Sequence, residues 1–195
     1  MKKTRTETNQ TIQRVIEISR QQFTEKGYAN VALEEIVNEA QLTRGVIYHH
    51  FSNKKGLFLA VFEEVQKDIG KQIEIEAMKS DDLWEQLLNG CRAFLVSASE
   101  TQNQRILLID GPAVLGWDTF RKMDQEYAMN SLKEHLQLLL EEGIISPVSS
   151  IDALTHCLSG AMNEAALWIA ESSNRPKTIQ ESMDTLQTLL NGYRM

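Results

Sequence analysis

Apolar residues recur along this chain at helical spacing. Ile12, Val15, Ile16 and Phe23, with Ser19 between them, follow the 3.6-residue period up to Lys26 and Gly27, which predicts a first helix over about 8–26. A short second helix over 33–40 carries Ile36, Val37 and Ala40 on one face and acidic residues on the other. Thr43 is a good N-cap for a third helix over 44–50, and Leu57, Phe58, Val61, Phe62, Val65 and Ile69 trace a long fourth over 54–77. Past a cap at Ser80-Asp81, the residues Leu83, Trp84, Leu87, Leu88, Cys91, Phe94 and Leu95 mark a fifth. A short apolar helix over 104–110 stops at Gly111-Pro112, and three more follow over 118–142, 150–172 and 176–193, the first of them closed by Gly143. No stretch sustains period-2 alternation, no repeat is visible, and no proline occurs before Pro112. The reading is all-α, with about nine helices.

The stretch over 27–57, GYANVALEEIVNEAQLTRGVIYHHFSNKKGL, joins two short helices by a tight turn, and the second opens Thr-Arg-Gly-Val. That is the requirement of a helix-turn-helix, whose second helix enters the ~12 Å major groove end-on. Gly45 has no side chain to hold the backbone off the base edges, and Val46 can meet a thymine methyl. Thr43, Tyr48 and His49 present hydroxyl and imidazole groups, while Arg44 can fork onto guanine or grip a phosphate. Lys54 and Lys55 open the next helix, where amides and ammonium groups together suit a phosphate. Core roles compete with these: Phe51 reads as a core residue, and Tyr48 could be one, although its polar tip suits a phosphate. His49 and His50 point about 100° apart on a helix and make a poor metal pair. His49 is read as DNA-facing and His50 as a packing or phosphate residue. Lys2, Lys3 and Arg5 read as a solvated tail, with a minor-groove arm as the other option.

Overall charge alone points away from DNA: 20 Lys+Arg against 27 Asp+Glu give −7, with 42% hydrophobic and 24% charged residues, an ordinary globular balance. The sum hides an asymmetry. Residues 1–60 hold nine basic and six acidic side chains, a net +3, and the remaining residues hold eleven and twenty-one, a net −10. The longest apolar runs are six residues, against the ~20 that cross a bilayer, and the basic start lacks an apolar stretch behind it. The expectation is a cytoplasmic protein with no membrane partner. Cys91 and Cys157 lie on apolar helix faces without CxxC spacing or an adjacent base, so they read as inert buried thiols. No cofactor or metal is expected.

The segment TRGVIYHHFSNKKGLF resembles the recognition helix of the tetracycline-repressor (TetR) family of bacterial transcription regulators, with the likeness covering about 8–65. The RILLIDGPAVLGW segment resembles a subset of that family. The resemblance implies a DNA-binding domain over 1–53, a connecting helix over 54–77 and a ligand-binding and dimerising domain over 78–195. It also implies a regulator, by the family's usual mode a repressor, that binds a near-palindromic operator as a homodimer and is released by a small effector. Three positions depart from the family pattern. Gln41 stands where glycine is usual in the turn, which implies a differently bent turn. Val31 and Ala32 replace hydroxyl residues at the start of the second helix, where Asn30 is the substitute cap, and Glu34 occupies a place that is often basic or polar. Glu34 would repel phosphate and is left out of the contact set.

An effector pocket is expected between the fifth and eighth helices, lined by Phe94, Leu108, Trp117, Met123, Tyr127, Met162 and Trp168, beside the break after Asp110. No buried charge announces itself, so a mainly apolar or aromatic effector is expected. The dimer surface is expected on the last two helices, through Leu154, Leu158, Ala161 and Ala165 on one and Met183, Leu186 and Leu190 on the other. Packing of both stripes inside the monomer is the competing reading. The alternatives in other classes are a cysteine redox sensor, an adaptor of the same fold without DNA, and a di-iron bundle enzyme. None of His49, His50, His135 and His156 has a Glu three positions before it, which counts against the enzyme.

Overall fold

The computed structural model describes residues 5–195, which form nine helices when widened turns are counted with the helices they interrupt. They are α1 (Arg5–Lys26), α2 (Leu33–Glu39), α3 (Arg44–Phe51), α4 (Lys54–Ala77), α5 (Leu83–Ser99), α6 (101–115), α7 (117–141), α8 (Ile151–Glu171) and α9 (Arg175–Asn191). Among the described residues there is no strand, only an isolated bridge between Ile145 and Arg194. Lys2 and Lys3 lie outside the described residues.

Helices α1–α3 pack on the first turns of α4 around Phe23, Phe58, Ile36, Ile47 and Leu57, all fully buried. Phe23, Tyr28 and Phe58 form an aromatic triangle with ring centroids 5.1–5.8 Å apart. Each such side chain contributes roughly 1.5–3 kcal/mol by leaving water. The other half of α4 packs on α5, and behind them α7, α8 and α9 close a second core around Trp84, Leu95, Leu136, Leu139 and Ile169. One continuous helix thus enters both cores.

Gly111-Pro112 does not stop a helix, contrary to expectation. The chain stays helical from 101 to 115, and the turn over Arg105–Asp110 widens to π geometry. Pro112 has no N–H and its ring would press on the carbonyl one turn back; the wider turn moves that carbonyl aside. Gly111 serves packing: a Cβ there would stand 2.6 Å from Phe62 Cε2 of α4. The break comes instead at Gly116, with φ 84°.

Through α6 the second core holds the first. Arg105 donates to the carbonyls of Thr24 and Glu25 at the end of α1, each at 3.3 Å, and satisfies groups that a helix end leaves unpaired. Asp110 accepts from the Tyr28 amide at 2.8 Å, and Arg20 of α1 donates to Asn103 at 2.9 Å.

Candidate DNA interface and effector cavity

On α3, Ile47 is fully buried and anchors the helix, while Thr43, Arg44, Gly45, Tyr48, His49 and His50 are exposed and Val46 is half-buried. Thr43 occupies the N-cap position with extended backbone, and its hydroxyl makes no cap bond. Phe51 is half-buried against the core. Arg44 forms an ion pair with Glu34 of α2, so the acid left out of the contact set holds the guanidinium in the free protein.

Gln41 has φ 55°, and the amides of Leu42 and Gln41 donate to the carbonyls of Val37 (3.0 Å) and Asn38 (3.1 Å). Those two bonds are the Schellman closure that glycine usually supports. The turn therefore keeps its ordinary form, and Gln41 carries the left-handed backbone at a cost of roughly 1–2 kcal/mol. Asn30 does not cap α2; its Nδ2 donates to Lys26 O at 2.9 Å and closes α1 instead. Ala32 holds the N-cap position of α2 without a side-chain bond, and Glu34 and Glu35 in the first turn suit the helix dipole. Val31 is buried, which accounts for an apolar residue there.

Lys54 also differs from expectation. Its ammonium lies 4.4 Å from the centroid of the Tyr28 ring and 3.5 Å from Ala29 O, and burial lowers its pKa although nearby Asp110 pulls the other way. It is engaged with the α1–α2 connection, and Lys55 is the exposed one of the pair. Sequence reasoning missed Asn53, whose Oδ1 accepts from Gly56 N at 2.9 Å and caps α4. The signal was present in an Asn followed by a helical period. It also missed the need for Gly56, where a Cβ would stand 2.0 Å from Phe51 O.

A cavity of about 400 Å³ lies between α4, α5, α7 and α8. Phe94, Tyr127 and Met162 are among its walls, together with Gly70, Ile73, Leu87, Cys91 and Leu132. Leu108 and Met123 are buried elsewhere in the core and outside these walls. Trp117 and Trp168 face outward, 64% and 53% exposed; Trp117 stacks on Phe120 under the Arg121 guanidinium. No α6 residue contributes, so the helix break does not border the cavity. A buried charge is present after all: Asp124, 4% exposed, lines the cavity and receives Arg121 Nη1 at 2.9 Å. Burial raises its pKa more than Arg121, Ser159 and His156 lower it.

The same walls touch α4 closely. A Cβ on Gly70 would stand 3.2 Å from Tyr127 O, and the Tyr127 hydroxyl donates to Glu63 Oε1 at 2.8 Å. The Lys67 bond, aided by that hydroxyl, holds the Glu63 carboxyl below its ordinary pKa.

Leu158, Met183, Leu186 and Leu190 are buried within the monomer, so these four belong to its own core rather than to a free surface. Leu154 and Ala165 are half-buried, and Ala161 is exposed beside Gly160 and Trp168. Cys91 is buried and its thiol is pushed up to about 12, whereas Cys157 is exposed, unlike the buried thiol expected. Among the described residues, no three His, Cys, Asp or Glu side chains cluster as for a metal, and no helix is long and apolar enough to cross a membrane.

Residues 15–61 match the model of the bacterial regulatory proteins of the tetR family, and residues 84–193 match that of the Tetracyclin repressor-like C-terminal domain. The second match alone spans more than half the chain. The chain belongs to the TetR family. Relatives include the transposon Tn10 TetC protein of Escherichia coli, 26% identical over 94% of this chain and 89% of that one. The regulator AcrR of Shigella flexneri is 31% identical over 56% of this chain and 51% of its own length. A crystal structure of a TetR-family regulator from Pectobacterium atrosepticum superimposes with a TM-score of 0.81 at 32% identity, covering 99% of this chain and 98% of that one. As a TetR-family member this protein is a ligand-responsive, DNA-binding transcriptional regulator and not an enzyme.

Proposed function

We propose that this TetR-family regulator is a repressor that binds a near-palindromic operator as a homodimer and releases it when a small, mainly apolar effector fills the cavity. The observation that carries this reading is the double role of α4: Leu57 and Phe58 sit in the first core, and Gly70, Ile73 and Ala77 wall the cavity. A ligand that forces α4 and α7 apart acts on Tyr127 and Glu63 and tilts α4, and the α1–α3 unit follows because it packs on the first turns of α4, with Arg105 and Asp110 tying it to α6 as well. The effector then shifts the population away from the separation of about one DNA turn that suits a two-fold operator. Both widened turns fall on this route. Arg105–Asp110 contains both tying residues, and Gln125–Met129 contains the cavity residues Tyr127, Ala128 and Met129.

DNA contacts are assigned to Thr43, Arg44, Gly45, Val46, Tyr48 and His49, with Lys55 in place of Lys54 as the phosphate ligand. Residues 1–53 form the reading domain, 54–77 the connecting helix and 78–195 the sensing and dimerising domain, acting in the cytoplasm. The dimer contact is assigned to α8, through the exposed Gly160, Ala161 and Trp168 and the half-buried Ala165, and to the exposed Leu189 of α9; small residues allow close helix approach. The charge of the acidic second part is tolerable if it stands away from the duplex. Selection of bound DNA from a random pool tests the reading. The expected product is an inverted repeat whose binding weakens steeply with salt, and a product without two-fold symmetry would overturn the dimeric mode.

A further inference from the structure

A cavity for a wholly apolar ligand has no use for Asp124. The residue lines the cavity together with Gly70, Phe94, Ser159 and Met162, and its carboxyl group receives one hydrogen bond, from Arg121 Nη1 at 2.9 Å. The guanidinium is shared: its Nη2 lies 2.9 Å from His156 Nδ1 and 3.3 Å from Met129 Sδ. A carboxylate accepts about four hydrogen bonds, so capacity remains on the cavity side. The rest of the wall has the same sign. Glu74 is a second carboxylate, no Lys or Arg lines the cavity, and the His135 Nε2–H is engaged by Leu83 O at 2.8 Å. Phe94 and Tyr127 add two aromatic residues to the wall, a side-chain type that attracts cations. Asp124 and His135, the first and last wall residues on α7, are roughly 15 Å apart along the helix, room for an extended molecule.

We propose that Asp124 is the charge-recognising end of the effector cavity, and that the effector is an elongated apolar amine whose ammonium group bonds to it. This inference rests on the cavity being the effector site. Arg121 reaches the carboxylate through one nitrogen only and is shared with His156 and Met129, so a ligand ammonium completes the hydrogen bonding of a buried carboxylate.

Titration calorimetry on the full-length protein with phenylhexylamine, phenylhexanol and phenylhexanoate tests the proposal, because the three probes share one apolar body. The amine is expected to bind about tenfold or more tighter than the alcohol, with the carboxylate weakest. Asp124→Asn keeps the shape and an acceptor for Arg121; it is expected to remove about a tenfold amine preference while leaving alcohol binding within about threefold. Equal binding of amine and alcohol by the wild-type protein overturns the Asp124 assignment and leaves the cavity as an effector site. No binding of any of the three at millimolar concentration overturns the cavity reading and the assignment with it. The wild-type ranking decides the matter even if the Asn variant fails to fold.

Discussion

Around Phe23, Ile47 and Phe58, none with measurable exposure, the DNA-reading end is closed by short turns and a capped entry into α4. Around Asp124 and Tyr127, by contrast, α7 departs from α geometry over Gln125–Met129 and four helices leave about 400 Å³ open. Both regions are helical and share α4, so composition does not explain the difference. The reading end must present α3 in one shape, and dense packing with unique turns achieves that. In the proposed mechanism the sensing end needs two shapes of similar energy, and incomplete packing beside a widened turn suits that need.

The largest expected effect contrasts the two cores. Phe58→Ala should cost ~3–5 kcal/mol in urea unfolding, and Met162→Ala at the cavity wall should fall at or below ~2 kcal/mol, because its site already borders free space. Equal losses would break the comparison. Next, Arg44→Ala or Tyr48→Ala should weaken operator binding by ~1–3 kcal/mol in gel-shift titrations and leave the dimer intact on a sizing column. Loss of the dimer would make those residues structural.

A smaller effect concerns pH. The folded-state pKa of Asp124 is raised, chiefly by burial, so its ionisation works against folding. Stability relative to Asp124→Asn should therefore decline as pH rises from the unfolded carboxyl range through the raised value, and be unaffected below that range. Unfolding of the two proteins across that interval, with Arg121 and His156 unchanged, gives the difference; the opposite slope would mean that Arg121 outweighs burial. Smallest, Gln41→Gly should raise stability by up to ~1 kcal/mol with operator affinity preserved, since glycine accepts φ 55° without strain. No gain in melting temperature would mean that the turn is unstrained.

The reading end was legible because its signals are local. Residues 54–77 repeat apolar side chains at helical spacing, and α4 spans Lys54–Ala77. Arg44, Gly45 and Tyr48 stand on the exposed first turns of a helix whose anchor is the apolar Ile47. Legibility ends where a distant residue decides. Gly111-Pro112 reads as a stop, but Phe62 of α4 needs a glycine against it and a widened turn admits the proline. Asp124 reads as a surface acid of an amphipathic helix until Ser159 and His156, 35 and 32 residues further on, are brought beside it by α8. Lys54 looked free for phosphate because nothing nearby in sequence reveals the Tyr28 ring beneath it. Apolar stripes such as Leu158 and Leu186 do not say whether the helix they face is in the same protomer.

The central claim is that filling the cavity changes the spacing of the two α3 helices. It is tested most directly by spin labels on His50→Cys in a Cys157→Ser background, with Cys91 left buried and the distance across the dimer read with and without saturating phenylhexylamine. The account predicts a shift of several ångströms in the label–label distance together with loss of operator affinity. Loss of affinity with an unchanged distance would contradict it.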